Sequence, residues 1–188
     1  MDDWLTVILA GGKGERMQSS LPKVMHKICG KEIIRHVLDN VYELHTGSII
    51  LVVSPEYASI INGVIDKDCI FIPQDIPLGT AHALQQVKDN LPMDNKNLIV
   101  LYGDNVLDDR NLIDAVMKQH VDKNSDITLL TKNLDNPEGY GRIIKNDSGD
   151  IIGIVEQRDL LPEQEPIKEI SGIKIQSLSI TPFIIDAY

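Results

Sequence analysis

Five short apolar runs recur along this 188-residue chain, with helix-patterned segments between them. Trp4–Ala10, Ser48–Val53, Cys69–Ile72, Asn97–Tyr102 and Asp126–Thr131 all have strand length, and they are near-continuous rather than alternating. Such runs suit strands covered on both faces. Between them, Ile33, Ile34, Val37, Leu38, Val41 and Tyr42 recur at helical spacing, which predicts an amphipathic helix over Glu32–Leu44. Ser54-Pro55-Glu56 reads as N-cap, N1 proline and first-turn acid of a helix reaching about Ile65. Thr80 reads as the N-cap of a helix over Ala81–Asn90, and a further helix is expected from about Asp109 to Asp122. Alternation of this kind implies βαβ units, hence an α/β fold with a mostly parallel sheet and helices on both faces.

The rhythm changes after Thr131. Arg142–Lys145 and Ile151–Val155 flank Asn146-Asp147-Ser148-Gly149-Asp150, a β-hairpin signature. Residues 157–168 are polar and proline-bearing, and 172–185 are mostly strand-like. No repeat and no long linker interrupts residues 1–188, so a single domain is expected. A chain of this length can bury about 70% of its unfolded surface without a disulfide or metal staple.

The first run stops at Gly11-Gly12, with Gly14 close behind, and the loop that follows carries Lys13, Arg16 and Lys23. Glycines let backbone N–H groups turn toward an anion. The segment reads either as a phosphate-holding loop or as a plain turn with solvated basic residues. It is not a Walker A loop, and Met17 stands where a dinucleotide fingerprint needs its third glycine.

Charge sharpens the choice. The chain carries a formal net charge of −10, which opposes non-specific binding to nucleic acid or an anionic membrane. Residues 13–35 nevertheless hold Lys13, Arg16, Lys23, Lys27, Lys31 and Arg35 against only Glu15 and Glu32. Lys31 and Arg35 are expected to be ordinary helix-surface charge. Cys29 and Cys69 are isolated, and the start shows no secretory pattern, so reduced thiols in a cytoplasmic protein are expected.

In an open parallel sheet, ligands bind outside the carboxyl ends of the strands. The glycine loop follows the first strand, Gln74 and Gly79-Thr80 the third, and Gly103-Asp104 the fourth. Asp104 is the candidate Mg²⁺ ligand, helped by substrate phosphates; a plain turn aspartate is the alternative. No Ser-His-Asp or Cys-His signature is present, and His82 is expected to be structural.

The segment LAGGKGERMQSSLPKVMHKICGK resembles the nucleotide-binding signature of sugar-1-phosphate nucleotidylyltransferases. Followed by DIPLGTAHAL, LYGDNVL and PEGYGRIIKNDSGDIIGIVEQRD, it resembles the pyrophosphorylase domain of bacterial N-acetylglucosamine-1-phosphate uridylyltransferases, with motifs in the family's order from Leu9 to Gly172. The resemblance implies a Rossmann-like nucleotidyltransferase fold. It implies attack of a sugar-1-phosphate oxygen on the α-phosphorus of UTP, with Mg²⁺ as cofactor and pyrophosphate as product. Carried over by position, the backbone of Leu9, Ala10, Gly11 and Gly12, with Lys23, Gln74, Gly79 and Thr80, would hold the nucleotide. Arg16 and Lys23 would act on the triphosphate, Tyr102, Gly103, Gly141, Glu156 and Ser171 would line the sugar side, and Asp104 would bind the metal.

The sequence departs from the family at three places. Gly11 stands where the family usually has alanine, a feature shared with a guanylyltransferase branch. Ser171 replaces the sugar-contacting asparagine in a shortened Glu169-Ile170-Ser171-Gly172-Ile173 motif. The chain also stops at Tyr188, ahead of the family's closing strands and second metal-binding asparagine, so the domain is expected to be truncated on its C-terminal side. Three readings follow. One is a Mg²⁺-dependent enzyme with UTP and a sugar-1-phosphate as partners, no nucleic acid and no membrane. The second is an impaired nucleotide- or sugar-nucleotide-binding module. The third is a fragment whose missing part comes from another chain; the protein partner is then either a second copy in a homo-oligomer or such a completing chain.

Overall fold

The computed structural model describes residues 4–12, 14, 17–44, 46–65, 68–91, 97–107, 109 and 111–177, the last seven by backbone alone. Its strands are β1 (Trp4–Leu9), β2 (Lys27–Ile28), β3 (Lys31–Glu32), β4 (Ile49–Val53), β5 (Ile70–Pro73), β6 (Asn97–Tyr102), β7 (Ile127–Asn133), β8 (Arg142–Lys145), β9 (Ile151–Val155) and β10 (Glu169–Ser177). The helices are α1 (Ile33–Glu43), α2 (Pro55–Asn62), α3 (Thr80–Asn90) and α4 (Asn111–Asp122).

Six strands form one sheet in the order β5-β4-β1-β6-β10-β7. β1 pairs in parallel with β4 and β6, and β4 with β5. β10 is antiparallel to both of its neighbours, β6 and β7. The sheet is therefore mostly parallel, as the alternating sequence predicts, but the chain's late strand lies between two earlier ones. The β8–β9 pair forms a separate antiparallel hairpin.

The apolar runs are buried on both faces because successive side chains point to opposite sides of a strand. Trp4 and Ile8 of β1, Leu51 and Val53 of β4, and Ile99 and Leu101 of β6 pack with residues of α1, α2 and α4. Leu5 and Val7, Ile50 and Val52, and Leu98 and Val100 face the other way, where Ala83, Leu84 and Val87 of α3 cover them. Among the described residues, helices thus lie on both faces, three against one and a single helix against the other.

Several helix boundaries differ from the sequence expectation. α3 begins at Thr80, and its N-cap is Gly79, at φ 113° and ψ −177°. That φ strongly favours glycine, so the cap falls there and Thr80 becomes the first helical residue. α2 ends at Asn62 rather than near Ile65, with Gly63 at its C-cap, and the N-cap Ser54 makes no side-chain capping bond. α4 starts at Asn111, whose N–H is accepted by Asp109 Oδ1 at 2.9 Å. Asp109 thus serves the helix start, while Asp108 lies outside the described residues. The strand expected over 172–185 begins earlier, at Glu169, and is described as far as Ser177.

Candidate functional site

The strand pairing aligns the carboxyl ends that carry the candidate residues. Leu9 sits opposite Val52 on one side and Tyr102 on the other, and Val53 sits opposite Pro73. The chain leaves β1 into Ala10-Gly11-Gly12, β5 into Gln74 and β6 into Gly103-Asp104, so all three exits open on one edge.

A cleft of about 360 Å³ lies at this edge. Leu9, Ala10, Gly11, Gly12, Lys23, Gln74, Gly79, Thr80, Tyr102 and Asp104 line it. Gly14, Val24, Pro77 and Ala83 line it as well and were not singled out as site residues from sequence. Gly14 carried a readable signal, since it is the last glycine of the loop. Val24, Pro77 and Ala83 read as ordinary apolar residues, and only the fold brings them here. Arg16 and Lys13 lie outside the described residues.

Two glycines shape the cleft by what they lack. Gly14 has φ +68°, and a Cβ there would stand 2.9 Å from the Cβ of Lys23. Glycine thus lets the loop pass directly over Lys23. Gly103 is buried beneath the cleft; its N–H donates to the Leu9 carbonyl at 2.9 Å, and a Cβ would meet Leu9 O at 3.1 Å and Val24 Cγ1 at 3.2 Å. It joins the ends of β1 and β6 rather than lining the cleft.

The charged groups meet at the mouth. Lys23 Nζ donates to Asp104 Oδ2 at 2.7 Å, with 46% and 36% of their side chains exposed. A hard, accessible carboxylate at the mouth of an open cleft fits Mg²⁺ bound largely through ligand oxygens and water. No cluster of three or more His, Cys, Asp or Glu exists among the described residues, so the donor set does not suit an all-protein metal cage.

Gln74 forms the opposite wall. It is buried, its backbone N–H donates to Val53 O at 2.9 Å, and its side-chain Nε2 donates to Gly79 O at 3.2 Å and to His82 Nδ1 at 3.0 Å. Tyr102 lies between the two halves. Burial pushes its phenol pKa up, the Thr80 hydroxyl bonds to it and opposes that shift, and the charges of Glu156 and Asp104 raise it further. The phenol therefore stays neutral and can donate a hydrogen bond at physiological pH.

Gly141 and Glu156 stand on the β8–β9 hairpin and do not line the cleft itself. A Cβ on Gly141 would meet Ile154 Cγ2 at 3.2 Å and Glu156 Cδ at 3.6 Å, so the two positions adjoin. The buried Arg142 shapes the turn before them: its Nη1 donates to Pro137 O at 2.7 Å and to Tyr140 O, and its Nη2 to Gln157 Oε1 at 2.9 Å. Lys145 Nζ reaches both carboxylate oxygens of Glu169 at 2.6–2.8 Å, and Thr131 Oγ1 donates to Oε1 at 2.6 Å. These bonds from Lys145 and Thr131 hold the Glu169 carboxyl below its ordinary pKa and fasten the hairpin to the main sheet. Ser171 is a residue of β10 and is described by its backbone only.

Comparison with known proteins gives this arrangement a family. Curated relatives are similar over most of the chain. The bifunctional protein GlmU of Thermoanaerobacter pseudethanolicus is 38% identical over 172 residues, covering 92% of this chain and 37% of the relative. The bifunctional protein GlmU of Clostridioides difficile is 37% identical over 168 residues, 89% of this chain and 36% of the relative. The chain thus spans little more than a third of the length of these relatives. A crystal structure of UDP-glucose pyrophosphorylase complexed with UDP-glucose superposes with a TM-score of 0.78 at 18% identity, over 99% of this chain and 80% of that one, a likeness of fold. The nucleotidyl transferase model matches residues 5–170, from the first strand through Ile170, and the chain belongs to the nucleotidyl transferase family.

Proposed function

We propose that this chain transfers a uridylyl group from UTP to N-acetylglucosamine-1-phosphate or a related sugar-1-phosphate, releasing pyrophosphate in the cytoplasm. The observation that carries the reading is the convergence of Gly11, Gly12, Lys23, Gln74 and Asp104 on one cleft at the carboxyl edge of the sheet. Those residues are dispersed in sequence and have no common structural task.

The chemistry asks for positioning and charge neutralisation rather than an activated nucleophile. The backbone of the glycine loop, which lines the cleft, is assigned to the nucleotide. Lys23 supplies a mobile positive charge, since its present partner Asp104 is half-exposed and readily exchanged for a phosphate oxygen. Arg16 is assigned to the same triphosphate by its place in the loop. Gln74 and Gly79-Thr80 hold the nucleoside, while Tyr102, Gly141, Glu156 and Ser171 take the sugar side. The attacking phosphate oxygen of the sugar-1-phosphate forms a bond to the α-phosphorus, and the bond to the leaving pyrophosphate breaks. Mg²⁺, held by Asp104 and the phosphates, would neutralise charge on the triphosphate when bound.

The test is pyrophosphate release from UTP, Mg²⁺ and N-acetylglucosamine-1-phosphate, with Asp104→Ala as comparison. Release that needs all three components and is lost in Asp104→Ala is the expected result. Equal background rates in both proteins overturn the enzymatic reading.

A further inference from the structure

We infer that His82 is a positioning residue for base recognition, locking the Gln74 amide so that only its carbonyl oxygen is offered to the nucleotide cleft. The inference rests on the nucleotide reading given above. Gln74 has two amide protons, and both are committed. Its Nε2 stands 3.2 Å from Gly79 O and 3.0 Å from His82 Nδ1. A backbone carbonyl can only accept, so the group beside it is the NH₂ end of the amide. His82 Nδ1 must then accept the second proton. The ring proton accordingly sits on Nε2, where Gln86 Nε2 at 3.4 Å, itself a donor, takes no part.

The other end of the amide is left over. Gln74 Oε1 stands 3.3 Å from where a Cβ on Gly11 would be, and no donor reaches it among the described residues. The backbone N–H groups of Gly11 and Gly12, in the same cleft wall, donate to no acceptor among the described residues either. The wall therefore offers one fixed acceptor beside backbone donors. A base edge with a ring N–H next to a carbonyl, as in uracil, thymine or guanine, answers both. Held in the pose that uracil takes, cytosine presents a ring acceptor to Oε1 and an amine to the N–H groups, and it can pair only by shifting until its amine meets Oε1. Sites built around a hydrogen bond reject analogues that cannot make it, because the buried polar group is then left without a partner.

The experiment measures UTP and CTP affinity by calorimetry with Mg²⁺ on the full chain. His82→Asn keeps an acceptor near the Nδ1 position, and His82→Leu removes it. The expected result is a wild-type preference for UTP of about tenfold or more, retained in His82→Asn and reduced to within about threefold in His82→Leu. The loss in His82→Leu comes with unchanged affinity for inorganic tripolyphosphate, which a general folding defect would not spare. Equal wild-type affinities for UTP and CTP overturn the inference without any variant. A full preference in His82→Leu, or its loss in His82→Asn as complete as in His82→Leu, overturns it while leaving the nucleotide site intact. A wild-type protein that binds no nucleoside triphosphate removes both readings together.

Discussion

Lys23 and Asp104 are 81 positions apart in the chain, yet their side chains meet at 2.7 Å across the mouth of the cleft. One comes from the loop after the first strand and the other from the turn after β6. Both are substantially exposed, so the pair itself contributes less than about 1 kcal/mol to stability. Lys23→Ala should therefore leave the melting temperature nearly unchanged and weaken UTP binding, whereas Lys31→Ala, whose lysine pairs with Asp39, should leave UTP binding intact. Calorimetric titration of both variants checks this, and equal affinities count against Lys23 as a phosphate ligand.

Gly14 bears two constraints at once, a φ of +68° and a would-be Cβ 2.9 Å from Lys23 Cβ. Gly14→Ala should cost roughly 1–3 kcal/mol of stability and displace Lys23 from the cleft. Gly149→Ala has a similar φ of +86° but open space around it, so it should cost stability alone. Urea denaturation paired with UTP titration separates the two. Unchanged UTP affinity in Gly14→Ala would contradict the shaping role.

Gly11 tests the open space beside Gln74. A Cβ there would stand 3.3 Å from Gln74 Oε1, so Gly11→Ala crowds the acceptor without touching the phosphate end. Since the family usually carries alanine there, the Gln74 amide is expected to give by a few tenths of an ångström, with UTP affinity changed by no more than about 1 kcal/mol and tripolyphosphate affinity unchanged. A parallel loss of both affinities would place Gly11 on the phosphates instead.

Glu169 links the hairpin to the sheet. Glu169→Gln removes the charge that Lys145 neutralises and should raise the KM for the sugar-1-phosphate more than that for UTP, because Gly141 and Glu156 ride on the hairpin while Gln74 and Gly79 do not. Steady-state kinetics with each substrate varied in turn measures the split. Equal changes in both KM values would argue for a purely structural bond.

His120 makes stability pH-dependent. It is buried, its Nδ1 lies 3.0 Å from Thr128 Oγ1, and its ring packs edge-on to Trp4 at 5.9 Å. Burial lowers its pKa from the ordinary 6.5, with the charge of Asp126 opposing. A depressed histidine pKa means that the unfolded chain takes the proton more readily. The contribution is therefore whole above about pH 6.5 and is lost as pH falls through the lower folded value. Denaturation midpoints at pH 7.5 and 5.5 should drop more in wild type than in His120→Gln, and parallel drops would refute the assignment.

Much of the architecture was legible because it rests on local pattern. Continuous apolar runs such as Ile49–Val53 have no polar face to expose, so they can only be covered strands, and the spacing of Ile34, Val37, Leu38 and Val41 allows only an amphipathic helix. The β8–β9 hairpin was readable from Asn146–Asp150 for the same reason. Helix starts were less legible. Thr80 and Gly79 are both acceptable caps in sequence, and the choice fell to the backbone angle that the loop after β5 imposes on residue 79.

The sequence by itself determined the alternating α/β layout, the glycine loop and the placing of Gln74, Gly79 and Asp104 just beyond strand ends, since each follows from composition within a few residues. Only the tertiary structure decided that β10 runs antiparallel between β6 and β7, that Lys23 meets Asp104, and that His82 holds the Gln74 amide. Strand insertion depends on pairing with residues 36–49 positions away in β7 and 74–80 positions away in β6. The direction of an amide depends on which acceptors surround it in space, and no periodicity along the chain encodes either.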